Sequence, residues 1–152
     1  MKKLLVFLLA LALLFAAGCA ENGNTPGRGE EADEWGIILS AEDVAPTGMT
    51  LVCTQNGGSP TGELLTGSPY VIEQLMDGEW LPVPTAPGLG DLAWTMEGRM
   101  IKFNDTTKWD VNWEFLYGAL PSGEYRLTKE VMDFKETGNF EEEIYFAYFT
   151  IE

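Results

Sequence analysis

Carboxylates are the main chemical resource of this chain. Its 152 residues hold 24 Asp and Glu, nine Lys and Arg, two Cys and no His. Three or more acidic side chains brought together bind a hard cation through oxygen. Asp105, Asp110 and the run Glu141, Glu142, Glu143 are the candidates. Two carboxylates held about 5–10 Å apart in a cleft can instead hydrolyse a glycosidic bond. Other chemistries lack their reagents. Without His, the commonest general base and the commonest transition-metal ligand are missing. Cys53 has no imidazole to activate it as a nucleophile. No nucleophile elbow, phosphate loop or zinc-type Cys pair is present. Gly88-Leu89-Gly90 reads as a turn, because the dinucleotide fingerprint needs a further Gly opening a helix. The acidic loops lack the ligand spacing of a known calcium motif. The residues therefore point away from an enzyme and from any cofactor or metal. A small surface glycan hydrolase using a carboxylate pair is the alternative.

A second cluster of chemistry-bearing residues is aromatic. "WEFLYGALPSGEYRL", Trp113 to Leu127, is dense enough to suggest a site. What it does depends on the elements around it. "WGIILSAE" and "GMTLVCTQN" read as strands, with Leu51 and Cys53 on one face and Val52 and Thr54 on the other. "GGSPTGELLTGS" reads as a loop. "PYVIEQLMDGEWLPVPT" reads as a hairpin turning at Asp77-Gly78, its second arm weakened toward an edge by three prolines. "LAWTMEGRMIKF" supplies one or two short strands. "TKWDVNWEF" alternates, with Trp109, Val111, Trp113 and Phe115 on one side. A helical turn fits only around Glu114 to Gly118. "GEYRLTKEVMDF" and "EEIYFAYFTIE" close the chain. Seven to nine short strands with frequent turn signals predict an all-β fold, a β-sandwich of two antiparallel sheets.

The N-terminus carries an address. Lys2 and Lys3 precede an uncharged apolar run, Leu4 to Phe15, then Ala16, Ala17, Gly18 and Cys19, the order of a secretory signal. The run is too short to span a membrane stably. Its ending, "LFAAGC", resembles the lipobox of bacterial lipoproteins. That resemblance implies cleavage after Gly18 and a diacylglyceryl thioether on Cys19. Two acyl chains, at about 0.8 kcal/mol per buried methylene, anchor a protein stably. The expected organisation is a signal peptide over 1–18, the lipid-attachment Cys and a flexible acidic linker over 19–34, and one folded domain over 35–152. Its place is the outer face of the bacterial cell membrane. Losing Lys2 and Lys3 leaves seven basic residues against 24 acidic ones, a net charge of −17. That argues against nucleic acid and against an anionic lipid surface. With Cys19 lipidated, Cys53 has no partner and is expected as a buried free thiol.

The spacing "LPSGEY" places Tyr125 where immunoglobulin-like sandwiches carry a Tyr that locks the crossover into strand F. Leu127 then stands where the second Cys of the usual inter-sheet disulfide would be, and Cys53 stands for the first. The segment Thr107 to Phe134, with "YFAYFTIE", resembles the C-terminal half of a bacterial immunoglobulin-like domain family of Gram-positive exported lipoproteins and other cell-surface proteins. The residues that match its W-x-x-L-Y-G-x-L-P-x-G-x-Y-R pattern are Trp113, Leu116, Tyr117, Gly118, Leu120, Pro121, Gly123, Tyr125 and Arg126. "APTGMTLV" and "MDGEWLPVP" agree more loosely. The resemblance implies an immunoglobulin-like β-sandwich and no catalytic residues, and the loop "GGSPTGELLTGSP" does not align with it.

Two positions remain as candidates for contact or charge. The last strand is apolar on both faces, and Ile144, Phe146 and Tyr148 form the set that cannot share the core with Tyr145, Ala147, Phe149 and Ile151. They are a possible strip for an unknown protein or glycan partner, or they are covered by loops or by the segment before Trp35. Lys129 shares the inward parity of Tyr125 and Leu127, which calls for an ion pair or a bulge. The function expected is a lipid-anchored, monomeric, non-catalytic binding or display module. A regulatory or inhibitory ectodomain sensing a ligand is a further alternative.

Overall fold

The structure, a computed structural model, describes residues 32–89, 94–95 and 97–152. The signal segment, Cys19 and the linker as far as residue 31 lie outside the described residues. In chain order the described elements are β1 (Ile37–Ala45), β2 (Gly48–Gln55), β3 (Glu63–Thr66), β4 (Val71–Met76), β5 (Glu79–Pro82), β6 (Arg99–Met100), β7 (Thr106–Asn112), α1 (Glu114–Tyr117), β8 (Gly123–Glu136) and β9 (Asn139–Ile151). They form two antiparallel sheets, the all-β sandwich that the alternation predicts. In the first, β2 lies between β1 and β7. In the second, β9 runs along β8 from the pair Gly123–Ile151 to the pair Glu136–Asn139. The other flank of β8 is divided. β4 pairs with its first half and β3 with its second, and β5 and β6 extend these outward.

The two-residue period of β8 and β9 builds the core between the sheets. Tyr125, Leu127, Lys129, Val131 and Asp133 of β8 are buried, as are Tyr145, Ala147, Phe149 and Ile151 of β9. Ile37, Leu39, Leu51, Cys53 and Trp113 pack against them. Each large apolar side chain removed from water contributes roughly 1.5–3 kcal/mol. Cys53 is a free thiol in this core, and burial pushes its pKa up to about 12. It behaves as a small apolar residue and not as a nucleophile.

The hairpin turns at Asp77-Gly78, both with positive φ (53° and 85°), as a two-residue turn between twisted strands requires. β5 ends at Pro82 on the sheet edge. Three local expectations change. "GGSPTGELLTGS" is not all loop, because Leu64 and Thr66 are buried and β3 pairs with the far half of β8. Four alternating residues between Gly and Pro clusters were too short to read as a strand. Phe115 does not face inward with Trp113. It is 74% exposed, because α1 begins at Glu114 and ends the two-residue period. Lys129 makes no ion pair among the described residues, and β8 alternates through it without a bulge.

The irregularity lies in the strand opposite Lys129. Leu65 pairs with Met132 and Val71 with Thr128. Six steps along one chain therefore face four along the other, so residues 67–70 form a two-residue bulge between β3 and β4. Before Trp35 the chain is already bonded into the domain. The Asp33 carboxylate accepts from the Trp35 and Ile37 N–H groups at 3.0 and 3.4 Å and from the Tyr145 hydroxyl. The Glu34 carbonyl accepts from the Ser59 N–H at 2.6 Å.

Candidate functional site

The aromatic stretch that first suggested chemistry is bonded throughout as a corner. The Trp113 indole N–H donates to the Pro46 carbonyl at 2.8 Å, and the Trp113 backbone N–H donates to Thr47 at 2.9 Å. The Leu120 N–H reaches the same Pro46 carbonyl at 2.8 Å. The Ala86 N–H donates to Leu116 at 2.7 Å, tying the loop after β5 to the turn. Gly118, at φ 71°, ends α1 with its N–H on the Glu114 carbonyl. The Tyr125 hydroxyl donates to the Pro121 carbonyl at 2.8 Å. Phe149 stacks between Trp113 and Tyr125, with ring centroids 5.3 and 5.5 Å away. Leu116 and Leu120 are buried and Tyr117 packs at the edge of the core. At Gly123 a side chain would meet the Gln74 amide, since a Cβ there would lie 2.8 Å from it. The Trp113 indole and the Tyr125 hydroxyl are thus both spent on backbone carbonyls of the chain itself.

The acidic candidates are dispersed. Asp105 accepts from the Thr106 N–H at 2.8 Å, and Asp110 accepts from the Thr50 hydroxyl at 3.1 Å. Glu141, Glu142 and Glu143 lie on β9 in the other sheet, with Glu141 3.8 Å from the Lys135 ammonium. Among the described residues no three His, Cys, Asp or Glu side chains come together to hold an ion.

Ile144, Phe146 and Tyr148 face outward from the second sheet, opposite Glu130, Thr128 and Arg126 of β8. Ile144 is 48% exposed and the two rings are half-buried. The strip is part of a wider cluster. Arg126 lies 4.2 Å from the Phe146 ring centroid and 4.9 Å from that of Trp80, and Trp80 lies 5.6 Å from Tyr148. Cations stack on aromatic faces in this range. Partial burial works against the Arg126 charge. The Glu73 carboxylate, 2.6 Å from its Nε, and Tyr148 outweigh that effect and keep its pKa raised. Thr128 donates to the same Glu73 oxygen at 3.0 Å. Val71, 44% exposed, extends the apolar area beside Thr128. Trp80, on the hairpin arm, was not among the sequence candidates. The strand pairing Leu75–Trp80 brings it onto this face.

Two buried polar residues were also missed. Gln55 donates to the Trp35 and Gly57 carbonyls at 2.9 and 2.6 Å and accepts from the Asn104 N–H at 2.5 Å. Asp133 accepts from the Thr61 N–H and hydroxyl at 2.7 and 2.8 Å and from the Gly62 N–H at 2.5 Å. Burial alone would raise the Asp133 pKa, but these donors outweigh it and hold it below the usual carboxylate range. Its parity with Lys129 was a usable signal. Both residues are structural clasps.

One of several concave features is a cleft of about 330 Å³ between the sheets. Its floor includes Leu51 and Leu127, and Tyr70, Trp94 and Trp109 stand around it. Lys129 and Arg99 also line it, and among the described residues Asp110 is the one acidic group in its wall.

A family model described as a bacterial Ig-like domain matches residues 33–145. No curated protein and no solved structure gives a significant match.

Proposed function

The chain belongs to the bacterial Ig-like domain family, and from that premise we propose that it is a non-catalytic binding module displayed on the outer face of the bacterial membrane by a lipid on Cys19. The observation that carries this reading is the outward cluster of Trp80, Phe146 and Tyr148 around Arg126, with Ile144 and Val71 exposed beside it. Aromatic and Arg side chains dominate the energetics of contact surfaces. The rings here are held by their own sheet, so a protein or glycan partner pays little ordering entropy. The acyl anchor fixes position and the acidic tether sets reach.

Mass spectrometry of the mature protein is expected to find a diacylglyceryl group on Cys19, and Cys19→Ser to release the chain from the membrane. An unlipidated N-terminus would end the anchor reading. The released chain is expected to be retained saturably on native cell-surface preparations. Phe146→Ala together with Tyr148→Ala should cut that retention at least tenfold. Retention indifferent to both substitutions would remove the outer face from the function.

A further inference from the structure

The strand facing β8 is interrupted opposite a buried cation. Lys129 is 3% exposed, and its ammonium donates to two carbonyls of the bulge, Gly67 and, at 2.9 Å, Pro69. It occupies a position where the period of β8 otherwise places Leu127 and Val131. Taking a charge out of water is costly, and a paired carboxylate is the usual compensation. Here the ion pairs among the described residues join Lys108 to Glu42, Arg126 to Glu73 and Lys135 to Glu141. Arg99, the second cation at the cleft, instead lies over the Trp109 ring, 5.8 Å from its centroid. In a chain with 24 acidic residues and nine basic ones, two cations meet at one cavity, and among the described residues neither has an ion pair.

The cavity is already shaped. The Tyr70 hydroxyl donates to the Asn112 carbonyl at 3.2 Å, and its ring meets Trp94 edge-on at 5.2 Å. Ser68 in the bulge donates to the Thr95 carbonyl at 2.5 Å. A volume of about 330 Å³ falls within the range of small-molecule sites, roughly 300–1,000 Å³. Flat aromatic walls suit a planar body. Among the described lining residues two cations, Lys129 and Arg99, stand against one carboxylate, Asp110, which is held by the Thr50 hydroxyl. That excess of positive charge selects an anion over a neutral sugar.

We propose that this cleft binds a small organic carboxylate with a planar apolar body, its carboxylate against Lys129 and Arg99 and its plane against Trp94 and Trp109. The site is separate from the outer-face cluster and does not depend on it. Burial and the charge of Arg99 lower the Lys129 pKa to about 8, while Glu130 opposes them. Among the described residues Asp110 and Tyr70 are the other titratable groups lining the cleft. The ammonium form that attracts the ligand is lost as pH rises above that value, whereas Arg99 stays charged. Affinity therefore falls between pH 7 and 10 without vanishing.

Calorimetric titration of the full chain with 2-naphthoate and with its neutral counterpart 2-naphthamide tests the proposal. Naphthoate is expected to bind at least tenfold tighter at pH 7, with the advantage shrinking toward pH 10. Lys129→Met, which fills the core position with an apolar chain of similar length, should abolish the preference while circular dichroism stays unchanged. Arg99→Gln, at the exposed rim, should reduce it several-fold and supplies the answer if Lys129→Met does not fold. Equal affinity for the two probes would overturn the proposal, as would binding of neither. So would a preference that survives both substitutions in folded protein.

Discussion

Asp133 is a charged group completely buried in the sandwich, and three donors from Thr61 and Gly62 make that tolerable. Removing the carboxylate strands those donors, and an unsatisfied buried donor costs about 1–3 kcal/mol. Asp133→Ala is therefore expected to lower the unfolding free energy by that order, read as a lower urea midpoint with an unchanged slope. The sign of the pH dependence follows from its depressed pKa. The contribution is complete above the unfolded carboxylate value of about 3.9. It is lost as pH falls through the lower folded value. The gap between wild type and Asp133→Asn should narrow on acidification through that window. A gap that widened there would contradict the clasp. Cys53 is legible at this scale, since an odd thiol in a β period reads as buried. Asp133 was equally available by parity, but its partners come from a segment more than seventy residues earlier, which no local pattern reveals.

At the scale of elements, turn chemistry was readable and strand continuity was not. Asp77-Gly78 defines its hairpin because both residues take positive φ, a conformation that costs a residue with a Cβ about 1–2 kcal/mol. Gly78→Ala, with φ 85° at that position and open space around it, should destabilise the fold by roughly 1 kcal/mol through backbone strain alone. A thermal melt checks this, and an unchanged midpoint would show that the hairpin is not part of the cooperative unit. β3 escaped notice because four residues between glycines and prolines carry too little period. Its partner, the second half of β8, makes it a strand. The same pairing exposes the 67–70 bulge, a mismatch between two registers that neither strand contains by itself.

For the whole molecule, charge is the dominant collective term. The mature chain expected from the lipobox has seven basic and 24 acidic residues, and like charges on a compact body repel. Raising sodium chloride from about 10 mM to about 0.5 M shortens the screening length from roughly 30 Å to a few Å. The melting temperature of this chain should therefore rise with salt by several degrees. A fall would mean that its attractive ion pairs outweigh the repulsion. No disulfide among the described residues assists the core, so the stability that salt modulates comes from packing between the sheets.

The sequence by itself determined the class of the fold, the corner at Tyr125, the inward face of β8 and β9 and the thiol inside it. These depend on spacing along one strand or across one turn, where a two-residue period and the special φ of a few residues decide the outcome. Only the tertiary structure decided that Trp80 and Arg126 join Phe146 and Tyr148, that the acidic candidates lie apart, and that a bulge accepts the Lys129 ammonium. Those facts depend on which strands become neighbours and in what register. Long-range pairing sets both, so the residues that could touch a partner are brought together by parts of the chain that carry no mark of each other.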